Sequence, residues 1–235
     1  MDNNLKDYRE KELKSYVIGN ALIIMTLSGI FNTLLSFTES AENANNMLST
    51  FGAELISAGI ISSILYIYVF ILDAIIPGNW KDTICSLYRP LPGELIFEEI
   101  KDKIKDKRFT KEDALQKYAN IYEKLNSLSE KEKREVSNSS WYSIYRKYEN
   151  VTKIFISNRD YLLCRDLCVS TLWIGIIYFM LCKLSIIIFN RNIVVILLIE
   201  LVATNIAMRG KQKRLVYNVI ATDIHPPKEK ASSEE

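Results

Sequence analysis

Charged residues in this chain of 235 residues are concentrated in some segments and absent from others. No charge occurs between residues 17 and 37 or between residues 167 and 182, whereas other segments are dense in Lys, Arg, Asp and Glu. Average composition hides this pattern, because 25% charged and 49% hydrophobic residues are ordinary values for a soluble protein. The segregation excludes a simple soluble globule, a disordered chain and a fibrous repeat. It indicates an integral membrane protein with a polar domain.

Four segments are long and apolar enough to cross a bilayer, which takes roughly 20 residues of helix. They are residues 16–37, 54–76, 167–189 and the shorter 193–208. Pro77 and Gly78 end the second segment. The only polar break between the last two is 190–192, which predicts a tight hairpin. Buried core helices are the alternative, but four such runs in one chain favour an all-α integral membrane protein with four transmembrane helices.

The distribution of Lys and Arg predicts the orientation of these helices. Basic residues are frequent in the N-terminal arm, the long central segment and the C-terminal tail, whereas the loop at 38–50 has none. By the positive-inside rule, both termini and the central segment face the cytoplasm. The predicted organisation is a cytosolic arm (1–15), a transmembrane hairpin (16–76), a cytosolic helical domain (77–166), a second hairpin (167–208) and a basic tail (209–235).

The segment between the second and third spans, roughly 90 residues, is too long for an ordinary connection and predicts a folded domain. Thr110 and Asp113 have the spacing of a capping box at the start of a helix. The polar run at 137–140 predicts a break, with a new helix beginning at Trp141.

The basic cluster at 209–214 precedes Leu215, Val216, Val219 and Ile220. That pattern suits a short helix lying on anionic lipid. The positive-inside rule also explains the basic residues without any lipid contact, and it is the favoured interpretation. Residues 226–235 are polar and predict disorder.

Ionisable residues inside the spans are the strongest functional signal, because a charge in the membrane is costly. Lys183 and Glu200 fall at the same depth on either side of the predicted hairpin. They predict either an ion pair or the lining of a water-filled path. Asp73, near the inner end of the second span, either snorkels or pairs with Lys81.

Small polar residues in the first two spans have two readings. They allow helices to approach closely, and in an oligomer their polar groups could line a pore. The candidate pore or intramembrane polar residues are Thr26, Asn32, Thr33, Ser62, Lys183 and Glu200.

Aromatic and basic residues alternate late in the central segment. Aromatic rings beside Arg and Lys can bind nucleotides or single strands by stacking and charge. Core packing with membrane-proximal charge explains the same residues and is the favoured reading. The candidate ligand- or partner-binding residues are Trp141, Tyr145, Arg146, Lys147, Arg159 and Arg165.

Signatures of catalysis are nearly absent from the sequence. The only histidine, His225, lies beside Pro226 in the tail, and no His/Cys cluster has the spacing of metal ligands. No Walker loop or G-x-S-x-G elbow occurs. We therefore expect no enzyme activity, no cofactor and no metal, with a membrane-bound enzyme as the third and weakest function class.

Two stretches, NSSWYSIYRKYENVTKIFISNRDYLLCRD (138–166) and RGKQKRLVYNVIATD (209–223), resemble segments of small polytopic membrane proteins encoded beside bacterial anti-phage genes. Hailong-type channels, gated by oligonucleotides from a partner nucleotidyltransferase, are one such family. The resemblance implies an effector of the bacterial inner membrane that conducts ions or depolarises the cell, controlled through its cytosolic domain. No family site residue carries over.

Two function classes therefore remain open. One is an oligomeric channel in antiviral defence, and the other is a non-conducting membrane anchor whose helical domain docks a partner protein. The expected partners are the lipid bilayer, further copies of the chain, and a nucleotide, oligonucleotide or protein at the cytosolic domain.

Overall fold

The computed structural model of the protein describes residues 2–29, 44–102 and 106–226. Within these ranges the chain is helical apart from turns and short connections, and no β-strand occurs. The predicted all-α fold class is confirmed for this part of the chain. The helices are α1 (Asp2–Leu27), α2 (Ala44–Ile75), α3 (Gly78–Cys85), α4 (Pro92–Asp102), α5 (Lys111–Lys117), α6 (Ala119–Asn126), α7 (Glu130–Tyr148), α8 (Thr152–Lys183) and α9 (Arg191–Ile224).

Three of these helices, α2, α8 and α9, are long and apolar enough to cross a membrane by length and composition. They cover most of the second and third predicted spans and all of the fourth. The first predicted span is only partly described, because residues 30–37 lie outside the described residues. Its described part ends in a turn after Leu27, where Gly29 has a φ of +76°. Asn32 and Thr33, two of the predicted polar residues, lie outside the described residues.

The chain divides into two compact units. The first unit combines Met1–Cys85 with Leu163–Ile206, and the second combines Ser86–Leu162 with Ala207–Glu235. The boundary after Leu162 falls inside α8 and the boundary after Ile206 falls inside α9, so each unit contains part of both helices.

The core of the first unit is built by one face of each of its four long helices. On α1 the buried residues recur at helical spacing, with Leu13, Val17 and Ala21 each four positions apart. Side chains from α2, α8 and α9 complete the cluster, which includes Val69, Ile174, Tyr178, Ile193 and Leu197. The opposite face of α2 is apolar and exposed, as Ile56, Ile60, Ile64, Ile67 and Ile71 show.

The connection between α8 and α9 differs from the predicted tight hairpin. Helix α8 ends at Lys183, before the predicted limit of residue 189, and Ser185 has a φ of +57°. The Tyr178 hydroxyl accepts a hydrogen bond from the Asn190 N–H (2.7 Å) and donates to the Asn190 carbonyl (3.1 Å), which fixes the return of the chain. Composition could not reveal this helix end, because residues 184–189 remain mostly apolar.

The second unit packs short helices against parts of α7, α8 and α9. Ile96, Phe97 and Ile100 of α4 are fully buried. The predicted capping box is confirmed: the Asp113 N–H donates to the Thr110 hydroxyl (3.1 Å), and the Thr110 N–H donates to the Asp113 carboxylate (3.1 Å).

One sequence prediction about the second unit is wrong, and one less favoured alternative also fails. The polar run at 137–140 does not break a helix, since α7 continues from Glu130 to Tyr148. Ser137 is buried and donates its hydroxyl to the Gly93 carbonyl of α4 (3.3 Å), so the run packs instead of turning. The interpretation of 215–220 as a lipid-surface helix also fails, because these residues are buried within the unit.

Candidate functional site

A hydrogen-bonded polar cluster lies among the apolar helices of the first unit. The Tyr16 hydroxyl of α1 donates to a Glu200 carboxylate oxygen of α9 (2.8 Å). The same hydroxyl lies 2.7 Å from the Thr171 hydroxyl of α8. Side chains of α1, α8 and α9 thus meet at the Tyr16 hydroxyl, and we call the three residues the Glu200 cluster.

The predicted ion pair between Lys183 and Glu200 does not form in the described part of the chain. Lys183 is exposed at the end of α8, whereas Glu200 is half-buried within α9. The longer connection between the two helices explains the difference. Lys183 lies directly at this connection, whereas Glu200 lies well inside α9, so the two residues are not at equal distances from the turn. Tyr16 takes the place that the sequence analysis gave to Lys183.

Several buried polar atoms near these helices have no hydrogen-bond partner among the described residues. They include Asn20 Oδ1, Ser62 Oγ and Ser170 Oγ. A buried polar atom without a partner costs free energy.

Only two of the small polar residues predicted for the first two spans, Thr26 and Ser62, lie among the described residues, and they differ in exposure. Thr26 is exposed and donates its hydroxyl back to the Leu22 carbonyl (2.8 Å). Ser62 is fully buried in the first unit. With Asn32 and Thr33 outside the described residues, a shared lining is a prediction that the structure leaves open.

Several ion pairs of the first unit lie around residues 165 and 166 of α8. The predicted partnership of Asp73 and Lys81 is confirmed at 2.6 Å. Arg165 contacts Asp82 (3.3 Å) and Asp166 (3.2 Å), and Arg9 of α1 also pairs with Asp166. The pairing of Arg9 with Asp166 could not be predicted from the sequence, because no local pattern links residues so distant in the chain.

The predicted aromatic and basic residues separate into three groups. Trp141 stacks on Tyr145 with ring centres 5.7 Å apart, and Arg146 lies 6.0 Å from the centre of the Tyr142 ring. Arg159 pairs with its neighbour Asp160 at 2.9 Å. Arg165 belongs to the first unit, where it forms ion pairs with acidic residues. Within the second unit, the aromatic pair and Arg159 thus make separate contacts.

Packing accounts for the aromatic members of the first group. A side-chain carbon added to Gly93 of α4 would lie only 3.2 Å from the Trp141 ring, so the indole packs directly on that helix. Burial, aided by Glu149, raises the pKa of Tyr145. Arg146 and Lys147 are exposed on the same helix.

Lys147 lines an open cavity of about 460 Å³ in the second unit. Lys117, Asp223 and the serines of α7 also line it. Asp223 accepts a hydrogen bond from the Tyr118 hydroxyl (2.8 Å), and burial together with this carboxylate raises the pKa of Tyr118. The Asp223 charge is therefore already engaged within the protein.

Within residues 2–29, 44–102 and 106–226, no group of three or more His, Cys, Asp or Glu side chains is arranged to hold a metal ion. The chain matches no protein-family model, no curated protein and no solved structure.

Proposed function

We propose that this protein is an oligomeric membrane effector that conducts ions and is controlled through its second unit. In the proposed arrangement, four helices of the first unit span the bacterial inner membrane. Both termini and the second unit lie in the cytoplasm. A role in anti-phage defence follows from the resemblance of residues 138–166 and 209–223 to effectors of that kind.

The Glu200 cluster carries this proposal. Ionisable side chains are rare within transmembrane helices and usually mark ion or proton pathways. Glu200 lies within α9, which contains an 18-residue window of mean hydropathy 1.9, and it contacts the hydroxyl of Tyr16, which in turn lies beside Thr171. These hydroxyl partners carry no charge, whereas Lys183 would have formed an ion pair with the carboxylate.

Surfaces left open by the first unit support assembly. The exposed face of α2 carries isoleucines next to the small residues Gly59 and Ser63. The Ser63 hydroxyl is satisfied by the Gly59 carbonyl (2.7 Å), so this face is compatible with close contact between helices.

A non-conducting membrane anchor is the alternative. The exposed side chains of Tyr142, Arg146 and Lys147 on α7 favour it, since aromatic and arginine side chains are enriched where proteins dock. An anchor requires no charged group within its spans, and Glu200 therefore favours conduction.

Ion flux through liposomes distinguishes the two functions. Full-length protein would be reconstituted into potassium-loaded vesicles, and the membrane potential followed with a dye. We expect the wild type to leak and Glu200→Gln to change the rate, because the substitution removes the charge and keeps the shape. Glu112→Gln on exposed α5 is the matched control and should behave as wild type. Vesicles that stay sealed with the wild type would support the anchor.

A further inference from the structure

A second cavity of about 420 Å³ lies within the second unit, between the first turns of α8 and the basic segment of α9. Its volume is within the range of small-molecule sites, roughly 300–1,000 Å³. The residues predicted from the sequence to bind a ligand do not line it. Its charged lining residues are Lys153, Asp160, Lys211 and Arg214.

Positive charge predominates in this cavity. Lys211 pairs with Asp160 at 2.8 Å, and Arg159 meets the same carboxylate at 2.9 Å. The single acidic group of the lining is thus already neutralised. Lys153 and Arg214 form no ion pair with any described residue.

Further positive charge lies beside the cavity. Arg108 and Arg214 are close enough to Lys153 to repel its charge, whereas Asp106, which pairs with Arg108, attracts it. Three cationic side chains thus lie near one carboxylate, which leaves the region with a net positive charge. The N-terminus of α8 adds partial positive charge to the same region.

A chain of hydrogen bonds orders the residues at the base of the cavity. The buried Asn218 side chain donates to the Ser157 hydroxyl (2.7 Å), which in turn donates to the Lys153 carbonyl (2.8 Å). Arg108 donates to the oxygen of the same Asn218 side chain. The base of the site is therefore ordered within the protein, whereas the side chains of Lys153 and Arg214 are exposed and available.

We propose that this cavity binds a phosphate-bearing small ligand with at least two negative charges, held by Lys153, Lys211 and Arg214. A guanidinium group matches the geometry of phosphate oxygens through paired hydrogen bonds, and an ammonium group adds a compact charge. Ile156, which is 42% exposed and also lines the cavity, provides apolar contact for the rest of the ligand. The phosphate comes either from a soluble metabolite or from a lipid headgroup, which offer the same chemistry.

Calorimetric titration of the full-length protein tests the site, with pyrophosphate as the probe and micelles of an uncharged detergent. The double variant Lys153→Gln/Arg214→Gln should bind at least about tenfold more weakly, since hydrogen bonds to charged groups are among the strongest in proteins. Lys131→Gln/Arg134→Gln removes the same charge from exposed positions on α7 and should bind as wild type. Circular dichroism would verify that both variants are folded.

Three results would overturn the proposal. They are the absence of saturable pyrophosphate binding by the wild type, equal weakening in both double variants, and equal affinity for malonate, a dicarboxylate with two negative charges. The wild-type titration alone keeps the test decisive if the Lys153→Gln/Arg214→Gln protein does not fold.

Nanodiscs separate the two sources of phosphate. Phosphatidic acid added to phosphatidylcholine discs should weaken pyrophosphate binding if the site takes a lipid headgroup, and should leave it unchanged if the ligand is soluble.

Control of the proposed channel would be exerted through this site, so that part rests on the proposed function. Binding is measured without ion flux, so the two proposals can fail independently. Liposomes that do not leak would contradict conduction but not the site, and a protein that does not bind pyrophosphate would contradict the site but not conduction.

Discussion

The Tyr16 hydroxyl contacts both the Glu200 carboxylate and the Thr171 hydroxyl. Phenylalanine at this position would keep the ring and leave the half-buried carboxylate without its donor. We expect Tyr16→Phe to lower the free energy of unfolding by about 1–3 kcal/mol, the usual cost of losing a hydrogen bond to a charged group. Thermal unfolding in detergent would measure the change.

Tyr68 provides the control, because its side chain is exposed on α2. Tyr68→Phe should unfold with the wild type. Coincident melting of Tyr16→Phe and the wild type would show that the Glu200 cluster contributes nothing to stability.

Asp106 gives the second unit a dependence on pH. Hydrogen bonds from Arg108 outweigh the effect of burial and hold the pKa of Asp106 below its ordinary value of 3.8. Because the folded pKa is lowered, the contribution is present above about pH 4 and is lost as the pH falls through the folded value. The wild type should therefore lose more stability than Asp106→Asn between about pH 6 and pH 3.

Asp102 offers a comparison on the neighbouring helix α4, where its side chain is exposed. Asp102→Asn should follow the wild-type pH dependence when melting temperatures are compared. Parallel acid curves for Asp106→Asn and the wild type would contradict the role of Arg108.

At the scale of the element, α9 differs most from its sequence prediction. One helix runs from Arg191 to Ile224, where the sequence predicted a short span followed by a tail. Ile220 is fully buried, whereas Ile206 on the same helix is 66% exposed. Ile220→Ala should cost about 2–5 kcal/mol, as for other large-to-small changes in a core.

The same substitution at position 206 serves as the control, since it removes the same atoms from an exposed site. Ile206→Ala should unfold close to the wild type in detergent. Similar losses for the two variants would mean that the tail of α9 is not part of a packed core.

Local patterns predicted the elements better than their limits and partners. Apolar length predicted α2, α8 and α9, and the spacing of Thr110 and Asp113 predicted a helix start. The end of α8 at Lys183 was missed because the apolar run continues beyond it. Ser137 was misread because a serine breaks a helix or packs within one depending on its tertiary partner.

The candidate sites were less predictable than the helices. Glu200 was identified because a charge in an apolar run is conspicuous, but its partner Tyr16 lies at the opposite end of the sequence. Lys153 and Arg214 belong to different helices and meet only in the folded second unit. Nothing in either local sequence distinguishes them from ordinary surface charges.

At the scale of the whole molecule, the proposed topology has a direct test. Single cysteines would be introduced at Asn43 and Asn126 in a background with the native cysteines replaced by alanine. A membrane-impermeant maleimide applied to intact cells should label Asn43→Cys, and Asn126→Cys should react only after lysis. Labelling in the reverse order would contradict the positive-inside orientation.

Assembly should depend on Gly59 of α2. A side-chain carbon added there meets no atom within 4 Å, so Gly59→Leu should leave the fold of each chain intact. Bulk on this face should nevertheless separate helices of neighbouring copies, because close approach requires small residues. We expect smaller assemblies in native mass spectrometry. Gly210→Leu, at an equally open helical position on α9, is the control and should assemble as wild type, whereas unchanged assembly of Gly59→Leu would place the oligomer contacts on another face.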